Sequence, residues 1–384
     1  MRSRKPGVFL VLASALLGTA AAAGAQEEAP LVIEHADEIE RVMEADSLSY
    51  NLTGNVRARR GDLHMRSQRA VIQRTSGVAD FTRAVRFWDA TTEIFADRVV
   101  YHEATDVAIA TGSVQVVDRQ TGSNVAADTV RYDRRLGLVT AWPRPHGYVL
   151  SRDTTDQQDP FHVYADTMRF VSDSTHSEFV GVGEVLIERT DLTAIGDSLH
   201  YDDRTGRVAI RREPQIETAE TFLTAETIDV GFADDEIESL IAVGTARAVQ
   251  KTDSIPRAVP PAFGDLSDTS WMEGDSIHIA FVDQAMEWLV AEGNARSFTY
   301  ARESPRGPVE TWSVNYLMGS MIRLEFRGAT LDVVTARDQR GVYRQEEVRV
   351  GGPERRPSEP IPWPAGLAAG DRRAAPDRTR GRRA

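Results

Sequence analysis

A six-residue phrase recurs along this chain: a small residue, Asp, Ser or Thr, an apolar residue, any residue, then Tyr or Phe. It reads Ala45-Asp46-Ser47-Leu48-Ser49-Tyr50, Ala127-Asp128-Thr129-Val130-Arg131-Tyr132, Ala165-Asp166-Thr167-Met168-Arg169-Phe170 and Gly196-Asp197-Ser198-Leu199-His200-Tyr201. Looser copies are Ala96-Asp97-Arg98-Val99-Val100-Tyr101, Ala225-Glu226-Thr227-Ile228-Asp229-Val230 and Gly274-Asp275-Ser276-Ile277-His278-Ile279. Degenerate ones lie at Arg66-Ser67-Gln68 and Gly319-Ser320-Met321. A repeat of this kind makes a chain a stack of similar units rather than one globule around one site.

Between the phrases runs a second element, a Gly turn followed by alternation: Gly54-Asn55-Val56, Gly112-Ser113-Val114, Gly183-Glu184-Val185 and Gly293-Asn294-Ala295. Phe81 to Asp89 matches Ala110 to Asp118 position by position, with Arg83 in place of Gly112. Period-two alternation, Val, Thr and Tyr enrichment and closely spaced turn residues predict short antiparallel strands and an all-β fold. Within each phrase the apolar and aromatic positions lie two residues apart and so share one face of a strand. The Asp is read as fixing a turn through nearby backbone N–H groups. Stacked units then line up one apolar interior.

The ends differ in character. Residues 1–25 carry Arg2, Arg4 and Lys5, an apolar run from Val8 to Leu17 and Ala23-Gly24-Ala25, which together predict a cleavable signal peptide. An uncleaved anchor is the alternative. Residues 26–250 are assigned to the repeats, 251–270 to a Pro-rich insert, 271–350 to further repeats, continuous with the first or a second unit, and 351–384 to a disordered tail. Ser151 to Pro160 is a shorter polar insert. The tail holds eight Arg against four acids, whereas 26–350 holds 34 Lys and Arg against 54 acids. An acidic body argues against nucleic acid as a partner. The absence of cysteine rules out disulfides and thiolate chemistry and fits a bacterial periplasm.

No catalytic constellation emerges. Gly196-Asp197-Ser198-Leu199 spells an esterase signature, but it stands in register with the repeat and no histidine follows His278. The eight histidines lack metal-ligand spacing, and the repeated acids lack the rhythm of calcium-binding β-rolls, so no metal and no cofactor are expected.

Ala45 to Tyr50 followed by Thr53-Gly54-Asn55-Val56, the same pairing at 110–114 with 127–132, and Gly274 to Tyr300 resemble the OstA-like domain of lipopolysaccharide transport proteins of the LptA kind. The likeness spans roughly 31–345. It implies an elongated β-jellyroll, an open β-taco of stacked antiparallel strands, whose apolar groove shelters lipopolysaccharide acyl chains in the periplasm and catalyses nothing. It implies lipopolysaccharide or a related glycolipid as ligand. Other OstA-like proteins would join by edge-strand addition, with end-to-end self-association as a further possibility. The groove candidates are Leu48, Tyr50, Val99, Tyr101, Val130, Tyr132, Met168, Phe170, Leu199 and Tyr201. Two alternatives stay open: a secreted structural or adhesive β-solenoid with a filled core and no lipid, and a β-helical carbohydrate-active enzyme, which would need a cleft of clustered acids.

Overall fold

The computed structural model describes residues 29–346 apart from 45, 150–159, 173–176, 203, 220, 234–235, 252–269, 284, 303–311 and 329. The predicted signal peptide, the Arg-rich tail and most of both inserts lie outside the described residues. Every regular element is a strand, and all are linked in one antiparallel sheet.

The strands form long arms that run back and forth. The first arm is β1 (Val32–His35) with β2 (Glu38–Glu44). Then come β3 (Ser47–Arg60), β4 (Leu63–Gln73), β5 (Val78–Trp88), β6 (Thr92–His102), β7 (Val107–Asp118) and β8 (Asn124–Asp133). Two interrupted arms follow, β9 (Leu138–Trp142) with β10 (His146–Val149), and β11 (Phe161–Tyr164) with β12 (Thr167–Ser172). Beyond them lie β13 (Ser177–Glu188), β14 (Leu192–Asp202), β15 (Arg207–Arg211) with β16 (Gln215–Thr218), and β17 (Thr221–Thr224) with β18 (Thr227–Ala233). The last arms are β19 (Glu236–Gln250), β20 (Trp271–Val282), β21 (Ala285–Arg302), β22 (Trp312–Arg327) and β23 (Thr330–Arg337) with β24 (Arg340–Glu346). β19 pairs directly with β20, from Ser239↔Ala280 to Val249↔Trp271, so the ladder continues past the Pro-rich insert.

Each arm bends at its middle, and the bend is what the repeats encode. The ladder shifts register there in the uninterrupted pairs, for example between Thr111 and Val114 opposite β8. In alternate arms two successive residues take positive φ: Gly54 and Asn55, Gly112 and Ser113, Gly183 and Glu184, Gly244 and Thr245, Gly293 and Asn294. Such a pair inserts an extra residue and kinks the strand, as a β-bulge does. Arg83 and Ala84 do the same at φ 68° and 53°, which bears out the alignment of Arg83 with Gly112.

The acids of the phrase face these glycines across the bend. A Cβ on Gly112 would lie 2.5 Å from Asp97 Oδ2, and one on Gly183 would lie 2.4 Å from Asp166 Oδ2. Gly244 meets Glu226 and Gly293 meets Asp275 in the same way. The acid therefore caps a bend in mid-arm rather than fixing a hairpin turn. Asp46 departs from this rule: it stands in the turn between β2 and β3. The first true bend is at Ala36-Asp37, where Asp37 N donates to Gly54 O at 2.9 Å and Asn55 Nδ2 donates to Asp37 Oδ2 at 2.9 Å.

Bending every arm at the same level folds the sheet along a crease into two walls. One wall carries β2, β9, β12, β18 and the matching halves of the long arms, the other β1, β10, β11, β17 and the remaining halves. The apolar alternation of both walls points inward. Phe81, Val99 and Val130 of one wall and Val56, Phe87 and Val116 of the other belong to a single core that extends to Leu324. The result is the elongated, folded β-jellyroll that the OstA-like resemblance implied.

Candidate functional site

The interior is the one feature shared by every repeat. Of the groove candidates, Val99, Tyr101, Val130, Tyr132, Met168 and Leu199 are buried in it. Tyr50, Phe170 and Tyr201 are half-buried against the same core, and Leu48 is half-buried near its start. The structure thus brings the set together along one inward face. Between the first arm and β9 the packing is close: Phe87 and Tyr101 meet across the walls with ring centroids 5.7 Å apart. At the first edge the interior is uncovered. Ile39 and Met43 pair with inward-facing Leu52 and Leu48, yet are 53% and 59% exposed.

Opposite the crease, the two rows of hairpin turns form lips. Among the described residues, side chains and not a backbone ladder hold the lips together. Six residues beyond the first bend residue of the bulged arms stand Arg60, Asp89, Asp118 and Arg189. Four residues beyond the acid of the phrase stand Tyr101, Tyr132 and Phe170. The first two members of each row meet. The first rung joins Arg60 to the Tyr101 hydroxyl and, at 2.7 Å, to Glu103 O. Tyr101 in turn donates to Asp106 Oδ1 at 2.6 Å. In the second rung Tyr132 donates to Asp89 Oδ2 at 2.8 Å. Arg134 ties the two rungs together, reaching Asp62 at 2.8 Å, Asp89 at 3.2 Å and Asp106 at 3.0 Å.

The electrostatics keep this seam in one protonation state. Burial pushes the Tyr101 hydroxyl up, and the hydrogen bond to Asp106 adds to it. Burial and then the Asp89 charge do the same to Tyr132, so both stay donors at neutral pH. Burial alone would raise Asp89, but the Thr92 N–H, the Tyr132 hydroxyl, the Thr91 N–H and Arg134 outweigh it and hold the carboxyl below its usual range. Further along, the lips meet differently. Phe161 and Phe232 pack edge to face at 5.3 Å, and the Arg189 guanidinium lies over both rings.

Sequence reasoning missed the seam. Its only trace is that one repeat position, six beyond the bend, carries a charge four times over. The esterase tetrapeptide gains no base: His200 bonds Glu178 at 2.9 Å, and Asp197 pairs with Arg212.

A folded antiparallel sheet with one apolar interior, closed along its lips by side chains, defines a β-jellyroll of the taco class. Residues 28–142 match the family model described as OstA-like protein. Among solved structures the chain is similar to LptH, described as the LptA-homologous periplasmic component of the lipopolysaccharide transport device of Pseudomonas aeruginosa. The identity is 11%, over 47% of this chain and 82% of that one, with a TM-score of 0.14. No curated protein sequence matches the chain. Among the described residues, no helix is long and apolar enough to cross a membrane.

Proposed function

We propose that this protein is a periplasmic carrier that shelters the acyl chains of lipopolysaccharide, or a related glycolipid, on the way to the outer membrane. The observation that carries the reading is an apolar interior running unbroken through the stack and closed, among the described residues, by side-chain contacts, which can part without breaking a backbone ladder. The OstA-like match over 28–142 supports it. Burying an acyl chain of about a dozen methylenes at about 0.8 kcal/mol each is worth on the order of 10 kcal/mol. A continuous groove offsets that cost at every step of a crossing. The interior between the first arm and β9 is filled, so a chain enters there only by displacing the lips.

Both ends of the stack invite extension. Among the described residues, β1 and β2 pair only with β3, and β23 and β24 only with β22. Each edge therefore offers unpaired N–H and C=O groups to a strand of another OstA-like protein or of a second copy.

The test is photo-crosslinking in Gram-negative cells with benzophenone at Ile39 or Tyr50 and, as control, at the outward-facing Arg131. Lipopolysaccharide adducts at the first two positions and none at Arg131 are expected. A folded, exported protein that gives no adduct would overturn the carrier reading in favour of a structural solenoid with a permanently filled core.

A further inference from the structure

The seam has a missing rung. Asp118 occupies the position of Asp89 one repeat on, and its carboxylate is held the same way: Asp118 Oδ1 accepts from Gln120 N at 2.7 Å and Thr121 N at 3.1 Å, as Asp89 Oδ1 accepts from Thr91 and Thr92. In the second rung the other Asp89 oxygen takes the Tyr132 hydroxyl. In the third, the residue at the tyrosine position is Phe170, which has no hydroxyl to give. There a cleft opens between the lips, lined by Asp118 and Phe170, by the buried Phe179 and Val125 and by the half-buried Tyr201 and Val149. It lies between the polar rungs on one side and the Phe161–Phe232–Arg189 contact on the other.

We infer that this gap is a lateral port, a built-in site where a single alkyl chain of an amphiphile enters the interior without the seam having to open. The inference rests on the carrier reading above and narrows it to one place. The chemistry of the lining selects the occupant. Its lining is mostly aromatic and aliphatic and is continuous with the core through Phe179 and Val125. Its half-exposed rim carries Glu178 and the hydroxyl residues Thr121, Ser123 and Ser177, the buried polar groups in its lining are Asp118 and Asn124, and neither Lys nor Arg is among the lining residues. A hydrocarbon chain is favoured within, and a neutral, hydroxyl-bearing head outside, because an anionic head would meet Glu178 at the rim and Asp118 behind it; of the two ligands of the carrier reading, this port takes the uncharged glycolipid rather than lipopolysaccharide. The missing hydroxyl is the device: the aspartate is in place and a phenylalanine keeps it from closing the lips.

The experiment uses the full chain and an alkyl maltoside carrying a diazirine in its chain, with adducts mapped by peptide mass spectrometry. Wild-type protein is expected to be labelled at Phe170, Phe179, Tyr201 or Val149. Phe170→Tyr restores the rung and should cut labelling there about five- to tenfold, the worth of one hydrogen bond, with a thermal midpoint at or above wild type. Phe170→Leu, which supplies no hydroxyl, should keep the label. Interior labelling in the wild type that avoids these residues, or labelling of them unchanged in a folded Phe170→Tyr, overturns the port and leaves the carrier reading standing. No interior labelling anywhere in the wild type overturns both.

Discussion

Replacing Gly112 with Ala tests whether the acid-glycine contact makes the bend. Gly112 sits at φ +79°, where an added Cβ would stand 2.5 Å from Asp97 Oδ2 and 2.9 Å from Asp97 Cβ. An L-residue in the left-handed region costs about 1–2 kcal/mol. The second contact is to the Asp97 stem rather than its tip, so rotating the carboxylate away does not relieve it. The backbone of β6 or β7 must shift within a core where the flanking Ala110 and Val114 are fully buried. That adds about 1 kcal/mol or more, for a total of about 2–3 kcal/mol. Urea unfolding followed by tryptophan fluorescence measures it. Asp97→Gly in the same background removes the carboxylate and the Cβ alike and leaves the φ cost, so the double variant should lose about 1 kcal/mol less than the two single variants summed. A loss below about 0.5 kcal/mol for Gly112→Ala, or strict additivity with Asp97→Gly, would refute the contact as the source of the bend.

Three further outcomes follow from the seam and the outer face. Asp89→Asn leaves Arg134 short of a buried partner and should cost about 3 kcal/mol in urea unfolding. Because the folded pKa of Asp89 is depressed, its contribution is present above the unfolded value of 3.8 and fades as pH falls through the folded one, so Asp89→Asn should also flatten the acid side of the stability profile. His146, stacked on Tyr164 at 4.5 Å, is pushed down to about 4 by burial and then by His162. The unfolded chain therefore takes up the proton first, and thermal stability should drop by about 1–3 kcal/mol as pH falls from 6.5 to 4; His146→Phe should abolish that drop. Tyr101→Phe should lower stability by about 1–2 kcal/mol, since it strips a bond from both Arg60 and Asp106.

Much of the fold is legible because bend chemistry is local. A left-handed pair favours Gly followed by a small or polar residue, and alignment with Gly112 alone places Arg83 in such a pair. Asp46 misled for a physical reason. The apolar slots of the phrase record burial, and β2 is an edge strand with its inward face uncovered. Ala36-Asp37-Glu38-Ile39-Glu40-Arg41, the genuine first copy, therefore lacks the apolar signature that Leu48 and Tyr50 supply to a hairpin. The seam was illegible because its partners are distant in sequence and chemically unalike. Arg60, Asp89 and Asp118 share a repeat position but not a charge, and what each needs is decided by a residue more than forty positions later. Phe170 reads as one more aromatic in its row until Asp118 is seen beside it.

The crease also sets a length scale. Six of the arms are split at the bend, so the 24 strands make 18 arms. At about 4.8 Å between neighbours, the stack extends roughly 80 Å. Each pair of arms is a self-similar slice about 10 Å thick, written in as few as 29 residues between Gly54, Arg83 and Gly112. Duplicating or losing one slice would lengthen or shorten the molecule by that step while leaving its cross-section unchanged. A chain built this way is a ruler, and the distance it spans can be reset by copying a hairpin, with no new fold required.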